Sequence, residues 1–345
     1  MLIWSTKLVR TISRGGGEAR SLFHEICSVS NIYRAWKKFK QGKTKKLDIQ
    51  DFELHLEENI FKIQQSLISK TYKPRPYQSF FVTDPKLRHI HKAEVFDRVV
   101  HQALFQKIYP LVERKLSSSV YSAREQRGTH RSVKKLYQSL QKETHNWRQE
   151  VWVLKCDIRK FFDSIQHSIL FEKIQQEYDF DKDTTELISL LVYSFENIKG
   201  KGLPLGNVTS QLFANIYLSE FDWFVKQSLG VKYYFRYCDD FIIILPNRKS
   251  AEKILQSIKK ELGSIELVLH PQKVWVRKVK QGIDFLGYVI LPRNIVLRST
   301  TKRRIYRRVA KGVSLESIQS YLGVSTYARG RSLTRYLLNE KAIRN

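Results

Sequence analysis

The stretch YYFRYCDDFIIIL, residues 233–245, sets two adjacent aspartates between an aromatic run and an aliphatic run. Read with the residues before it, it gives two β-rich segments, VKYYFRY and FIIIL, separated by Cys238 and Asp239, the length of a hairpin turn. Strands this apolar are buried, so Asp239 and Asp240 at the tip sit where water is scarce. Burial disfavours a charged carboxylate unless a cation offsets it. A third carboxylate, Asp157, ends the other segment of comparable strand character, VWVLKCDI at 151–158. Alternation there puts Trp152, Leu154, Cys156 and Ile158 on one face, with Val151, Val153, Lys155 and Asp157 on the other. Hard oxygen ligands converging from two strand ends suit Mg²⁺, which keeps part of its shell for water and phosphate.

Composition narrows the partners. The 345 residues hold 61 Lys and Arg against 33 Asp and Glu, a formal charge of +28, and 42% are hydrophobic. That content supplies a core for one large domain or two to three subdomains. The positive excess is self-repelling unless a polyanion shares the surface, which makes nucleic acid the leading partner. Apolar runs such as FIIIL fall far short of a membrane span. Three cysteines, Cys27, Cys156 and Cys238, show neither C-x-x-C spacing nor paired histidines in finger order, so a reducing cytoplasm is expected. Residues 1–28, with the glycines 15–17, read as an N-terminal appendage.

Between 48 and 69, apolar residues recur at Ile49, Phe52, Leu56, Ile60, Ile63 and Leu67, which predicts one helix. Helices are also expected near 94–116 and 132–147, with short extended pieces near 80–90. After 150 the period turns strand-like. Asp163, three residues before Gln166, reads as the N-cap of the helix SIQHSILFEKIQQEY. Further helices are expected near 183–195, 209–229 and 249–262, strands near 265–269, 274–279 and 285–291, and a basic helical tail from Arg298.

With these motifs in place, the chain resembles the reverse transcriptases. YCDDFIII matches their YxDD box, and DIRKFFDSI, from Asp157, matches their first aspartate motif. The resemblance implies an α+β right-hand polymerase: helical fingers at 29–149, a palm of antiparallel sheet packed on helices at 150–292, and a short basic helical thumb at 293–345. It implies Asp157, Asp239 and Asp240 as the catalytic carboxylates. Two Mg²⁺ ions, replaceable by Mn²⁺, would be held by Asp157, the Ile158 backbone, Asp239 and, less directly, Asp240. Such a pair serves in-line nucleotidyl transfer. KLRHI with DRVVHQAL resembles the fingers, where Lys86 and Arg88 would meet the triphosphate of a dNTP. Phe162 matches a steric gate against the ribose 2′-hydroxyl, GLPLGNVTSQLFANIYL supplies Gly206 and Gln211, LHPQK places Lys273 near the nucleotide, and FLGY (Phe285, Leu286, Gly287, Tyr288) resembles the primer grip. In RSTTKRRIYRRVAK, the cations Arg298, Lys302, Arg303, Arg304, Arg307, Arg308 and Lys311 would track phosphates. On the residues alone, Phe162 could equally be a core aromatic, Gly206 a turn, and the charge run a solvated face.

Within that family, the Gly206-Asn-x-x-Ser210-Gln211 pattern, TDPKLRHI, YSAREQRGTH, LKCDIRKFFDSI and SYLGVSTYARGRSL resemble the enzymes of diversity-generating retroelements. Lys92 and Glu94, where that branch has small residues, and Cys238, where methionine or valine is usual, depart from it. The branch implies copying of an RNA template and primer into cDNA with errors opposite adenines, Gln211 loosening base selection, and a small basic accessory protein as oligomeric partner. The alternatives are an antiphage or group II intron-like reverse transcriptase and a non-catalytic RNA-binding protein on a polymerase scaffold. The end of the chain soon after the thumb speaks against the appended segments of intron maturases.

Overall fold

The computed structural model describes residues 21–83, 87–328 and 330–344. Its helical first part comprises α1 (Leu22–Cys27), α2 (Val29–Lys40), α3 (Leu47–Leu54) and α4 (Leu56–Ile68), then a hairpin of β1 (Gln78–Val82) and β2 (Arg88–Lys92), and α5 (Val95–Glu113) and α6 (Thr129–Glu143). The middle alternates β3 (Trp152–Asp157), α7 (Phe161–Ser164), α8 (His167–Glu177), α9 (Lys182–Val192), α10 (Val208–Tyr217), α11 (Ser219–Trp223), β4 (Tyr233–Tyr237), β5 (Asp240–Leu245), α12 (Arg248–Ser264) and β6 (Trp275–Lys278). A second small sheet, β7 (Ile283–Phe285), β8 (Tyr288–Leu291) and β9 (Asn294–Leu297), leads into α13 (Ser299–Ala310), α14 (Leu315–Tyr327) and α15 (Arg331–Arg344). No described helix is long and apolar enough to cross a membrane.

The central sheet runs β4-β5-β3-β6, and every neighbouring pair is antiparallel. Both of its faces are covered, which is why β5 reads as a continuous apolar run and not as an alternation. Leu154, Cys156 and Ile158 join a large core with α5, α8, α10 and α12, while Val151 and Val153 join a second core with α6 and the β7-β8-β9 sheet. The alternation read from 151–158 is the one observed. A third cluster, Ile305, Val309, Ile318, Leu333 and Leu337, holds α13, α14 and α15 together.

Several expectations need correction. The helix expected over 48–69 breaks at His55, whose φ of −111° and ψ of 35° leave the helical region. Both halves still bury their share of the stripe, because a one-residue break leaves the apolar positions on the same side. Residues 1–28 are not all appendage: Ile26 and Cys27 of α1 are buried in the main core. Asp163 does not cap α8. It lies within α7 and accepts a hydrogen bond from Asn197 Nδ2 at 2.5 Å. Residues 265–269 form no strand, since Glu266 has φ +56° and only Leu269 bridges, to Ile158. The strand expected over 285–291 is a hairpin turned by Leu286 and Gly287, with φ +51° and +86°. Two positive φ values match the twist of a two-residue hairpin turn. The helix expected over 209–229 also breaks, at Leu218.

One buried polar contact positions the loop before α10. His101 of α5 has Nδ1 2.7 Å from Thr209 Oγ1, and its Nε2 accepts from Asn207 Nδ2 at 3.1 Å. An imidazole that accepts at one nitrogen and donates at the other is neutral. Burial pushes its pKa down from 6.5 to about 3. The folded chain therefore refuses a proton that the unfolded chain accepts, and stability present above pH 6.5 drains away as pH falls toward 3. At pH 5 the loss from this residue is about 2 kcal/mol. Urea unfolding of His101→Gln at pH 7 and pH 5 should show a pH difference smaller than wild type by that amount; an equal difference would mean that His101 is protonated in place.

Candidate active site

Antiparallel pairing of β3 with β5 sets Asp157 directly opposite Asp240, and the Ile158 N–H donates to the Asp239 carbonyl at 3.0 Å. Directly opposed Cα atoms in such a ladder lie about 4.5–5.5 Å apart. Carboxylates distant along the chain thus meet at one end of the central sheet. Cys238 and Asp239 make the turn from β4 to β5, and Cys238 takes a left-handed φ of +58° to do so.

Lysines meet the acidic charges. Lys155 shares a strand face with Asp157, and its Nζ lies 3.0 Å from Asp240 Oδ2 while donating to the Asp284 carbonyl at 3.1 Å. Lys273 Nζ lies 2.6 Å from Asp157 Oδ1. Burial pushes the Asp240 carboxyl up to about 6, with Lys155 acting in the opposite direction. Burial, and after it the charge of Asp157, also raise Asp239, against the pull of Lys273 and Arg88. Among the described residues, no three His, Cys, Asp or Glu side chains form a ready-made metal cage. The donors still fit a divalent cation. They are hard oxygens, Asp240 Oδ1 is buried without a hydrogen-bond partner, and a cation would relieve the desolvation and mutual repulsion that raise Asp239 and Asp240.

The remaining residues singled out in the sequence fall in three groups. Near the aspartates, Arg88 opens β2 close enough for its charge to act on Asp239. Lys86 lies outside the described residues. Phe162 is half-buried in α7, its ring 5.5 Å from that of Phe161. Gly206 has φ +123°, a conformation only glycine adopts freely, and a Cβ there would lie 3.8 Å from the His91 carbonyl. Gln211 is exposed on the first turn of α10. Lys273, expected beside a nucleotide, pairs with Asp157.

In the second group, Phe285 and Tyr288 are buried in the second core, with the Tyr288 hydroxyl 2.8 Å from His130 Nε2, so only the Leu286-Gly287 tip is partly open. In the third, Arg298 pairs with Asp284 and Lys302 donates to Ser332 Oγ. Arg303, Arg307, Arg308 and Lys311 are exposed and Arg304 is half-buried, on a helix whose Ile305 and Val309 face inward. Sequence reading gave no role to Lys155 or to the fully buried Arg236. A charged residue inside an apolar strand was the signal for each, because such a group is seldom buried without a partner.

Residues 82–290 match the family model described as reverse transcriptase (RNA-dependent DNA polymerase). Protein YkfC of Escherichia coli is 24% identical over 269 residues, covering 66% of this chain and 70% of YkfC. The group II intron-encoded protein LtrA of Lactococcus lactis is 28% identical over 230 residues, 63% of this chain but 34% of LtrA. The retron Ec73 reverse transcriptase of Escherichia coli is 30% identical over 134 residues, 35% of this chain and 41% of that enzyme.

Lys155 offers a direct test of how the acidic cluster is held. Removing one partner of a buried ion pair leaves the other charge uncompensated, so Lys155→Met should cost about 3 kcal/mol of metal-free stability at pH 8. At pH 5, below the raised pKa of Asp240, the carboxyl takes a proton and the cost should shrink. Adding Asp240→Asn should recover most of the loss. Guanidinium unfolding of the three proteins at both pH values measures this, and a pH-independent loss would contradict it.

Proposed function

The chain belongs to the reverse transcriptase family, the RNA-dependent DNA polymerases, and from that premise we propose that Asp157, Asp239 and the Ile158 carbonyl form its metal-dependent catalytic centre, at which an RNA template is copied into cDNA. The observation that carries this is the direct opposition of Asp157 and Asp240, with Asp239 hydrogen-bonded across to Ile158 at the same sheet end. Two Mg²⁺ ions, or Mn²⁺ in their place, would supply Lewis-acid stabilisation of the transferring phosphoryl group. Asp240, engaged by Lys155, serves the site by charge and position.

On this reading Lys86 and Arg88 bind the triphosphate, and the ring of Phe162 excludes a ribose 2′-hydroxyl. Gly206 and Gln211 border the nucleotide, and Lys273, paired with Asp157, would meet its phosphate. The 285–288 turn meets the primer through its Leu286-Gly287 tip. The outward cations of α13 follow the duplex backbone. The fingers, palm and thumb correspond to 29–149 extended by α1, 150–292 and 293–345.

For the branch, the Gly206-Asn-x-x-Ser210-Gln211 pattern and the segments around it support a diversity-generating retroelement enzyme. It would act in the cytoplasm with a small basic accessory protein, leaving errors opposite template adenines. The likeness to the group II intron-encoded protein LtrA and to the retron Ec73 reverse transcriptase supports a second reading, a reverse transcriptase of another bacterial branch, intron-like or antiphage. Neighbouring DNA separates the two. A near-duplicate repeat pair differing mainly at adenines, beside a small reading frame, supports diversification, and its absence supports the other branch.

Asp239→Asn should lower dNTP incorporation on a primed RNA template at least about 10³-fold, the size expected when a transition-state charge clamp is lost. Wild-type rates in that variant would end the proposal. Phe162→Ala should admit ribonucleotides in the same primer-extension assay. Template affinity should fall steeply between 50 and 200 mM salt, in about equal measure for wild type and both variants.

A further inference from the structure

Cys238 is a side-chain-bearing residue held in left-handed backbone at the turn that carries Asp239. Such a conformation persists only where the surroundings over-determine it. Here both backbone polar groups of Cys238 are held by side chains. Its N–H donates to Ser122 Oγ at 2.8 Å, and its carbonyl accepts from Arg236 Nη1 at 3.1 Å. Arg236 Nη1 also donates to Asn215 Oδ1 at 3.2 Å, and Asn215 Nδ2 donates to the Ser122 carbonyl at 3.1 Å. The four residues close a ring beneath the turn.

The ring is itself anchored. Arg236 is fully buried and forks onto Asp222, Nε to Oδ1 at 2.7 Å and Nη2 to Oδ2 at 2.6 Å, and the Tyr234 hydroxyl donates to Asp222 Oδ1 at 2.7 Å. The Arg236 backbone pairs with the Ser119 carbonyl and the Tyr121 N–H, both at 2.9 Å, so residues 119–122 run along the free edge of β4 as a strut. A buried ion pair adds little stability over an apolar replacement of similar volume. An apolar replacement would fill the same space but could not grip the Cys238 carbonyl. On the other side of the turn, the Ile158 N–H fixes the Asp239 carbonyl.

We infer that Ser122, Asn215, Asp222 and Arg236 are positioning residues that lock the Cys238 turn and thereby aim the Asp239 carboxylate at the divalent ion. This rests on the metal-site reading above. None of the four touches the reacting atoms, and their effect runs through the geometry of one turn.

The test uses the full chain and Mn²⁺ as probe, with free Mn²⁺ followed by electron paramagnetic resonance in the absence of nucleotide. Ser122→Ala and Asn215→Ala each remove one or two ring bonds without stranding a charge. Each should weaken Mn²⁺ binding about tenfold, the worth of one hydrogen bond near an ion, and slow single-turnover incorporation per folded molecule. Template-primer affinity should stay at the wild-type value. Ser122→Thr, which keeps a hydroxyl, should restore binding. Because Arg236→Met alone would leave Asp222 buried and uncompensated, the ion pair is removed as the double variant Arg236→Met/Asp222→Leu, with the same weakening expected in its folded fraction. Wild-type Mn²⁺ affinity and rate in these variants, whatever their melting temperatures, would overturn the inference while leaving an active wild type and an inactive Asp239→Asn to uphold the metal site. A wild type that binds no Mn²⁺, or an Asp239→Asn that binds it normally, would overturn both.

Discussion

Asp157 and Asp240 stand opposite each other at the end of two buried strands, where lost hydration and then the neighbouring carboxylates act against charge on Asp240. Everything close to them answers that constraint. Lys155 comes from the same face of the same strand, and Lys273 arrives from the loop before β6, its approach set by the His270 N–H donating to the Asp157 carbonyl at 2.7 Å. Two ammonium groups can neutralise two carboxylates, but they leave Asp240 Oδ1 buried and unbonded. A divalent cation can draw on several carboxylate oxygens at once, which single-point ammonium contacts do not do.

The register of β3 against β5 decides whether the carboxylates meet at all. A slip of one residue would send Asp157 to the face now occupied by Cys156 and would exchange the two cores. Covering both faces removes that freedom. Leu154 and Cys156 are locked into the helical side, and Val151 and Val153 into the side of α6 and the second sheet. Core packing thus serves chemistry by fixing which residues share a face. The Lys155 link to the Asp284 carbonyl, and the Asp284 side chain's pairing with Arg298 at the start of α13, carry that fixed geometry outward to the helical tail.

The sheet and its acidic turn were legible because period-2 burial and apolar runs are local signals, spanning only a few residues. The same reasoning identified the faces of 151–158 and the cationic helix after Arg298. It missed what depends on partners far along the chain. Alternation placed Lys155 beside Asp157 but could not name Asp240 as its partner, and nothing in YYFRY points to Asp222 fourteen residues earlier. Lys273 was assigned by resemblance to a nucleotide, and its pairing with Asp157, 116 residues away, was not foreseen. Turns failed for a local reason. Leu286 takes positive φ because Gly287 and the packed strands on either side impose it, and leucine itself carries no sign of that. The break at His55 was hidden because the apolar stripe continues through it.

Net charge gives the outer parts of the molecule their logic. A chain carrying +28 pays in self-repulsion for every compact state it adopts. Inside, that excess is useful, since cations placed against Asp157, Asp240 and Asp222 make buried carboxylates tolerable. Outside, α13 separates its roles by helical period: Ile305 and Val309 hold the third core, while Arg303, Arg307 and Arg308 face solvent. The tail is also tied back to the body, because the Tyr327 ring stacks on His130 at 4.4 Å and its hydroxyl donates to the His130 carbonyl at 2.7 Å. The outward side of α13 thus presents Arg303 and Arg307 to solvent. On the proposed reading, a phosphate backbone laid along it would relieve the repulsion that folding creates, so the same excess charge that strains the free protein would favour its complex with nucleic acid.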